Sequence, residues 1–168
     1  SIQSLPMPVL SSLVWPGRPE LPGGNPSWTF MIRQPQGEFA LFVGHVDEDG
    51  RAFPFEVWVN GAEQPRGLGA VAKTLSMDLR ARDRAWLKLK LDVLSRTPGD
   101  QSFEIPFPPE GERRLVPSIV AGMAQVVRWR CESLGALDEK APDLLSPDGR
   151  PHPVLDAMFA VEEPRTGT

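Results

Sequence analysis

The sequence predicts an α+β fold: a three-stranded antiparallel meander, then about three helices packed on one face, with Pro-rich extended arms at both ends. Three observations carry this. Apolar residues recur with a period of two through the first third of the chain and with a period near 3.6 beyond it. Turn-forming clusters divide the first region, and capping residues divide the second. The 19 prolines of the 168-residue chain gather toward its ends, six within the first 26 residues and five beyond residue 140. Each proline removes a backbone donor and holds its predecessor extended. The chain therefore divides into an N-terminal arm (1–26), an α+β core (27–135) and a C-terminal arm or linker (136–168).

The elements follow in order. Residues 27–33 place Trp28, Phe30 and Ile32 on one face of a strand. Residues 38–47 alternate Phe39, Leu41 and Val43 against Ala40, Phe42 and Gly44. Residues 53–60 set Phe53, Phe55, Val57 and Val59 on one side and Trp58 on the other. Pro35-Gln36-Gly37 and Asp47-Glu48-Asp49-Gly50 are the hairpin turns between them. Leu68, Val71, Ala72, Leu75 and Leu79 then trace one face of a helix. Asp83 is the expected N-cap of a second helix carrying Trp86, Leu87, Leu91 and Leu94, ended by Thr97-Pro98-Gly99. Phe103, Ile105 and Phe107 form a short extended segment. The third helix runs over about residues 117–134, with Pro117 in its first turn and Gly135 beyond its end. The apolar run Val154, Leu155, Met158, Phe159 and Val161 closes the C-terminal arm.

Composition narrows the chemistry. One Cys excludes an internal disulfide, a CxxC redox pair and a Cys-based zinc finger, and only two His accompany it. Cys131 falls within the apolar stripe of the third helix, the setting of a buried structural thiol. His45 and His152 have no partner at a catalytic spacing. No apolar run reaches the roughly 20 residues of a membrane span, and no secretory signal is visible. These features point to a cytoplasmic protein, and a net charge of −4 argues against nucleic acid as its partner.

Charge is unevenly placed. Residues 66–96 hold eight basic side chains against three acidic ones, a basic island in an acidic chain. It reads either as solvated helix faces or as a docking patch, for which Trp58, Arg80, Arg84 and Lys88 are the candidate contacts. The turn Gln64-Pro65-Arg66-Gly67-Leu68-Gly69 opens the first helix. Arg66, Gly67, Gly69 and Lys73 are candidates for holding an anion, such as a nucleotide phosphate, at a helix start. The spacing matches neither a P-loop nor a dinucleotide fingerprint. A tight turn in which both glycines permit close packing explains the same residues.

One resemblance adds a functional expectation. The run Phe53-Pro-Phe-Glu-Val-Trp-Val-Asn60, the turn Gly61-Ala-Glu-Gln-Pro-Arg-Gly-Leu-Gly-Ala70 and the helix Val71-Ala-Lys-Thr-Leu-Ser-Met-Asp78 are similar to the TSCPD domain. That domain lies near the C-terminus of many adenosylcobalamin-dependent (class II) ribonucleotide reductases. The matching positions are Phe55 to Val59, Arg66 to Gly69 and Ala72 to Leu79. The segments from Trp15 to Trp28, from Trp86 to Leu94 and from Val154 to Phe159 resemble the proteobacterial long form. In that family catalysis requires several cysteines on a large barrel, so no catalytic residue carries over to a chain whose sole thiol is Cys131. The resemblance implies an accessory domain or small subunit with a docking or assembly role, excised from a longer reductase or separately encoded. The ending from Glu162 to Thr168 favours excision or a split gene. By this resemblance the cofactor, adenosylcobalamin, belongs to the associated catalytic domain, which is the expected partner. A second copy pairing through a sheet edge is the other candidate partner.

Overall fold

The computed structural model describes residues 17–138. Much of the N-terminal arm, nearly all of the C-terminal arm, His152 and the apolar run from Val154 to Val161 lie outside the described residues. Strands β1 (Ser27–Gln34), β2 (Gly37–Glu48) and β3 (Arg51–Asn60) form an antiparallel sheet in that order. The second hairpin turns on Asp49 (φ 52°) and Gly50 (φ 78°). Two left-handed residues match the twist of the flanking strands, which is why an Asp-Gly pair stands here. Ile32, Phe39, Leu41, Val43, Val57 and Val59 are buried in the main core, at the positions the period-two pattern marks.

Phe53 and Phe55 depart from that pattern. The pairing of β2 with β3 runs from Gly44 opposite Glu56 to His45 opposite Pro54, leaving Phe55 without a partner. This bulge puts one extra residue into β3 and offsets the alternation across it. Phe53 and Phe55 consequently gather with Val46 in a small second cluster, apart from Val57 and Val59.

Helix α1 (Leu68–Ala81) buries Leu68, Ala72, Leu75 and Leu79, and with them Ser76. The serine has a specific task. Its Oγ accepts from the Val57 N–H at 2.9 Å and lies 3.1 Å from the Val57 carbonyl and 2.9 Å from that of Ala72. One hydroxyl thus takes the Val57 N–H and offers its single proton to the Val57 and Ala72 carbonyls, on the outer edge of β3, where no further strand pairs among the described residues. Arg82, at φ 57°, ends α1 by donating its N–H to the Leu79 carbonyl. Asp83 then caps α2 (Arg84–Ser95), its carboxylate accepting from the Trp86 N–H at 3.0 Å. Leu87 and Leu91 face the core, but Trp86 does not; half of it is exposed.

The extended segment expected at Phe103 is half of a second hairpin, β4 (Phe103–Phe107) with β5 (Glu112–Val116). β5 carries no apolar alternation because only Val116 of its five residues is buried. Helix α3 (Ile119–Ser133) is capped by Ser118, whose Oγ accepts from the Ala121 N–H at 3.0 Å. Pro117 therefore precedes the cap instead of occupying the first turn. Gly122 lets α3 approach this hairpin: a Cβ there would meet Ile105 Cδ1 at 3.2 Å and Val116 Cγ2 at 3.4 Å. Beyond Gly135 (φ 73°) the chain turns, and Ala136 and Leu137 return to the core.

The fold makes a direct prediction about Ser76. Ser76→Ala keeps the helix but leaves the buried Val57 N–H unpaired, and should lower the unfolding free energy by about 1–3 kcal/mol. Urea denaturation checks this; an unchanged midpoint would show that water replaces the hydroxyl at no cost.

Candidate functional site

The anion candidates do not converge. Gly67 adopts φ 83° at the start of α1, a left-handed geometry that explains the glycine. Close packing does not explain either glycine, since a Cβ at Gly67 or Gly69 would have nothing within 4 Å. Two first-turn amides already have partners: Leu68 donates to the Pro65 carbonyl and Ala70 to that of Gly67. Arg66 and Lys73 are exposed. A cleft of about 430 Å³ adjoins this turn, reaching Pro65, but Glu63 and Asp100 line it and no Lys or Arg does. Its field repels an anion.

The docking candidates separate into two kinds. Trp58 is 54% exposed on the strand face opposite Val57 and Val59, as the alternation requires. Arg84 is instead buried, and its Nη1 donates to the carbonyls of Gly135 at 2.9 Å and Asp138 at 2.6 Å. That guanidinium holds the end of the core to α2 and offers nothing to a partner. The Arg80 Nε is buried with no hydrogen-bond partner among the described residues, and Lys88 is half-buried.

An apolar stripe on α2 lies beside them. Trp86, Leu89 and Val93 are each at least half exposed and stand three and four residues apart, so they share one helix face. Trp86 is fixed in place: its Nε1 donates to Asp78 Oδ1 of α1 at 2.9 Å, and Lys90 Nζ lies 2.6 Å from the other oxygen of Asp78. The sequence contains a signal for this stripe that the cap-and-core reading passes over. Apolar residues at 86, 87, 89, 91, 93 and 94 are more than one buried face of a 12-residue helix accommodates.

Cys131 is fully buried, and desolvation pushes its pKa up to about 12; Glu132 adds to the rise and Arg130 opposes it. The thiol stays protonated and unreactive across the physiological range. His45 is half-buried, and its Nδ1 has no hydrogen-bond partner among the described residues. Among the described residues no group of three or more His, Cys, Asp or Glu side chains could hold a metal ion, and no helix is long and apolar enough to cross a membrane. No protein-family model matches the chain, nor does any curated protein or solved structure.

Two measurements follow from this geometry. Arg84→Ala should destabilise the fold by about 2–4 kcal/mol, because two charge-assisted hydrogen bonds to backbone carbonyls are lost; thermal melts of the two proteins decide it. Cys131 should resist a thiol reagent in the folded protein at pH 8 and react fully in urea. Because the folded pKa is raised, the thiol's contribution to stability is complete below the ordinary value of 9.0 and is lost as pH rises from there toward 12.

Proposed function

We propose that this chain is a non-catalytic docking module, the accessory domain or small subunit of an adenosylcobalamin-dependent ribonucleotide reductase, serving DNA precursor synthesis in the cytoplasm. The observation that carries the docking role is the exposed Trp86, Leu89 and Val93 stripe on a capped, rigid helix. Such a stripe is costly to leave in water, and an aromatic held by neighbours loses little freedom when a partner covers it. A pre-positioned tryptophan beside aliphatic side chains has the composition of an interface hot spot. Trp58 offers a second exposed aromatic on β3. The buried, protonated Cys131 is consistent with a chain that takes no part in thiol chemistry.

The reductase assignment rests on the resemblance of the β3–α1 segment, from Phe53 through Asp78, to the TSCPD domain. Under this reading adenosylcobalamin and the reacting cysteines belong to the catalytic chain, and this module contributes contacts to it. A partner that covers the stripe would meet Trp86, Leu89 and Val93 with an apolar patch of its own.

Titration calorimetry of the full chain against the catalytic chain of the same reductase tests the proposal. Saturable binding is expected, and the double change Leu89→Ser with Val93→Ser should weaken it at least about tenfold while leaving the melting temperature nearly unchanged. Absence of binding, together with normal turnover of a reductase lacking this segment, would overturn the assignment.

A further inference from the structure

A second concavity lies where the end of α2, the β4–β5 hairpin and α3 meet. It measures about 370 Å³, within the range of small-molecule sites, and Arg96, Arg114, Arg128, Gln125, Trp129 and Glu132 are among the residues that line it. We propose that this cleft binds a small phosphate-bearing molecule, its phosphate seated on Arg114 between Arg96 and Arg128.

The charges do not cancel. Asp92 is shared between two guanidiniums, 2.5 Å from Arg96 and 3.6 Å from Arg128, and Glu132 lies 3.1 Å from Arg128. Two carboxylates thus serve two arginines. Arg114 has no carboxylate partner among the described residues. Its guanidinium lies 3.5 Å from the centre of the Phe107 ring, and among the described residues its one hydrogen bond is a long one, 3.5 Å to Gln125 Oε1. Gln125 is itself oriented by donating to the Ser95 carbonyl at 3.0 Å. The ring holds the guanidinium plane while leaving its N–H groups available.

Three planar, always-charged donors around one concavity match the several oxygens of a phosphate. The site sits in a chain of net charge −4, so its local excess of positive charge is not a general property of the surface. Trp129, at the same cleft, supplies an aromatic surface against which an uncharged portion of the ligand can lie. None of the residues in the Gly67 turn takes part, which separates this site from the anion site that the sequence suggests.

Titration of the full chain with inorganic pyrophosphate at low ionic strength, followed by calorimetry and by tryptophan fluorescence, tests the assignment. Saturable one-site binding is expected, with a fluorescence change that Trp129→Phe abolishes. Arg114→Gln should weaken binding by about tenfold or more, and Arg96→Gln should weaken it as well. Arg66→Gln and Lys73→Gln should bind as the parent does. Thermal melts confirm that each variant is folded. Failure to saturate, an Arg114→Gln variant that binds normally, or equal losses in the Arg66 and Arg114 variants would overturn the proposal.

Discussion

The three-residue corner Arg82-Asp83-Arg84 is where the molecule is joined. Arg82 turns the chain left-handed, pairs with Glu48 at 3.3 Å and lays its guanidinium 3.7 Å from the centre of the Phe53 ring. Asp83 starts the next helix, and Arg84 grips the two carbonyls beyond α3. Sheet, helical pair and the turn after α3 are thereby referred to one point. Burying two charged residues there is tolerable only because each finds a defined hydrogen-bonding partner. The direction of α2, and with it the position of the Trp86 stripe, follows from this corner.

The two exposed regions have different physical character. On α2 the tryptophan and its aliphatic neighbours offer area, and the link from Asp78 to Trp86 and Lys90 supplies rigidity. At the arginine cleft the attraction is electrostatic, and salt screens it far more than it weakens apolar contact. A molecule carrying both can be held by one surface while responding to a soluble ligand at another. Helix α2 is common to both, carrying the stripe and supplying Asp92 to the arginines of the cleft.

Much of the fold was legible because local and tertiary signals agreed. The Asp-Gly turn, the Asp83 cap and the alternation through Leu41 and Val43 each need only their own segment to be recognised. Where the structure diverged, the deciding contact came from far along the chain. The bulge at Phe55 depends on the register with Gly44; β5 is exposed along most of its length and has no period to read. Arg84 looked like a surface charge because its carbonyl partners lie some fifty residues away. The arginine cleft draws on α2, β5 and α3, so no single window of sequence contains it. Trp58, by contrast, was placed correctly by alternation alone.

The Ser76 hydroxyl has a consequence for how the molecule can associate. A small sheet normally advertises its outermost strand as a template on which another extended segment can add. Here α1 lies against β3, and a side chain already occupies the backbone donor of Val57 and sits beside its carbonyl. Growth of the sheet at that position would require breaking these bonds and displacing a helix. Recognition is thereby shifted from main-chain pairing, which is nearly indifferent to sequence, to side-chain contacts that a partner must match.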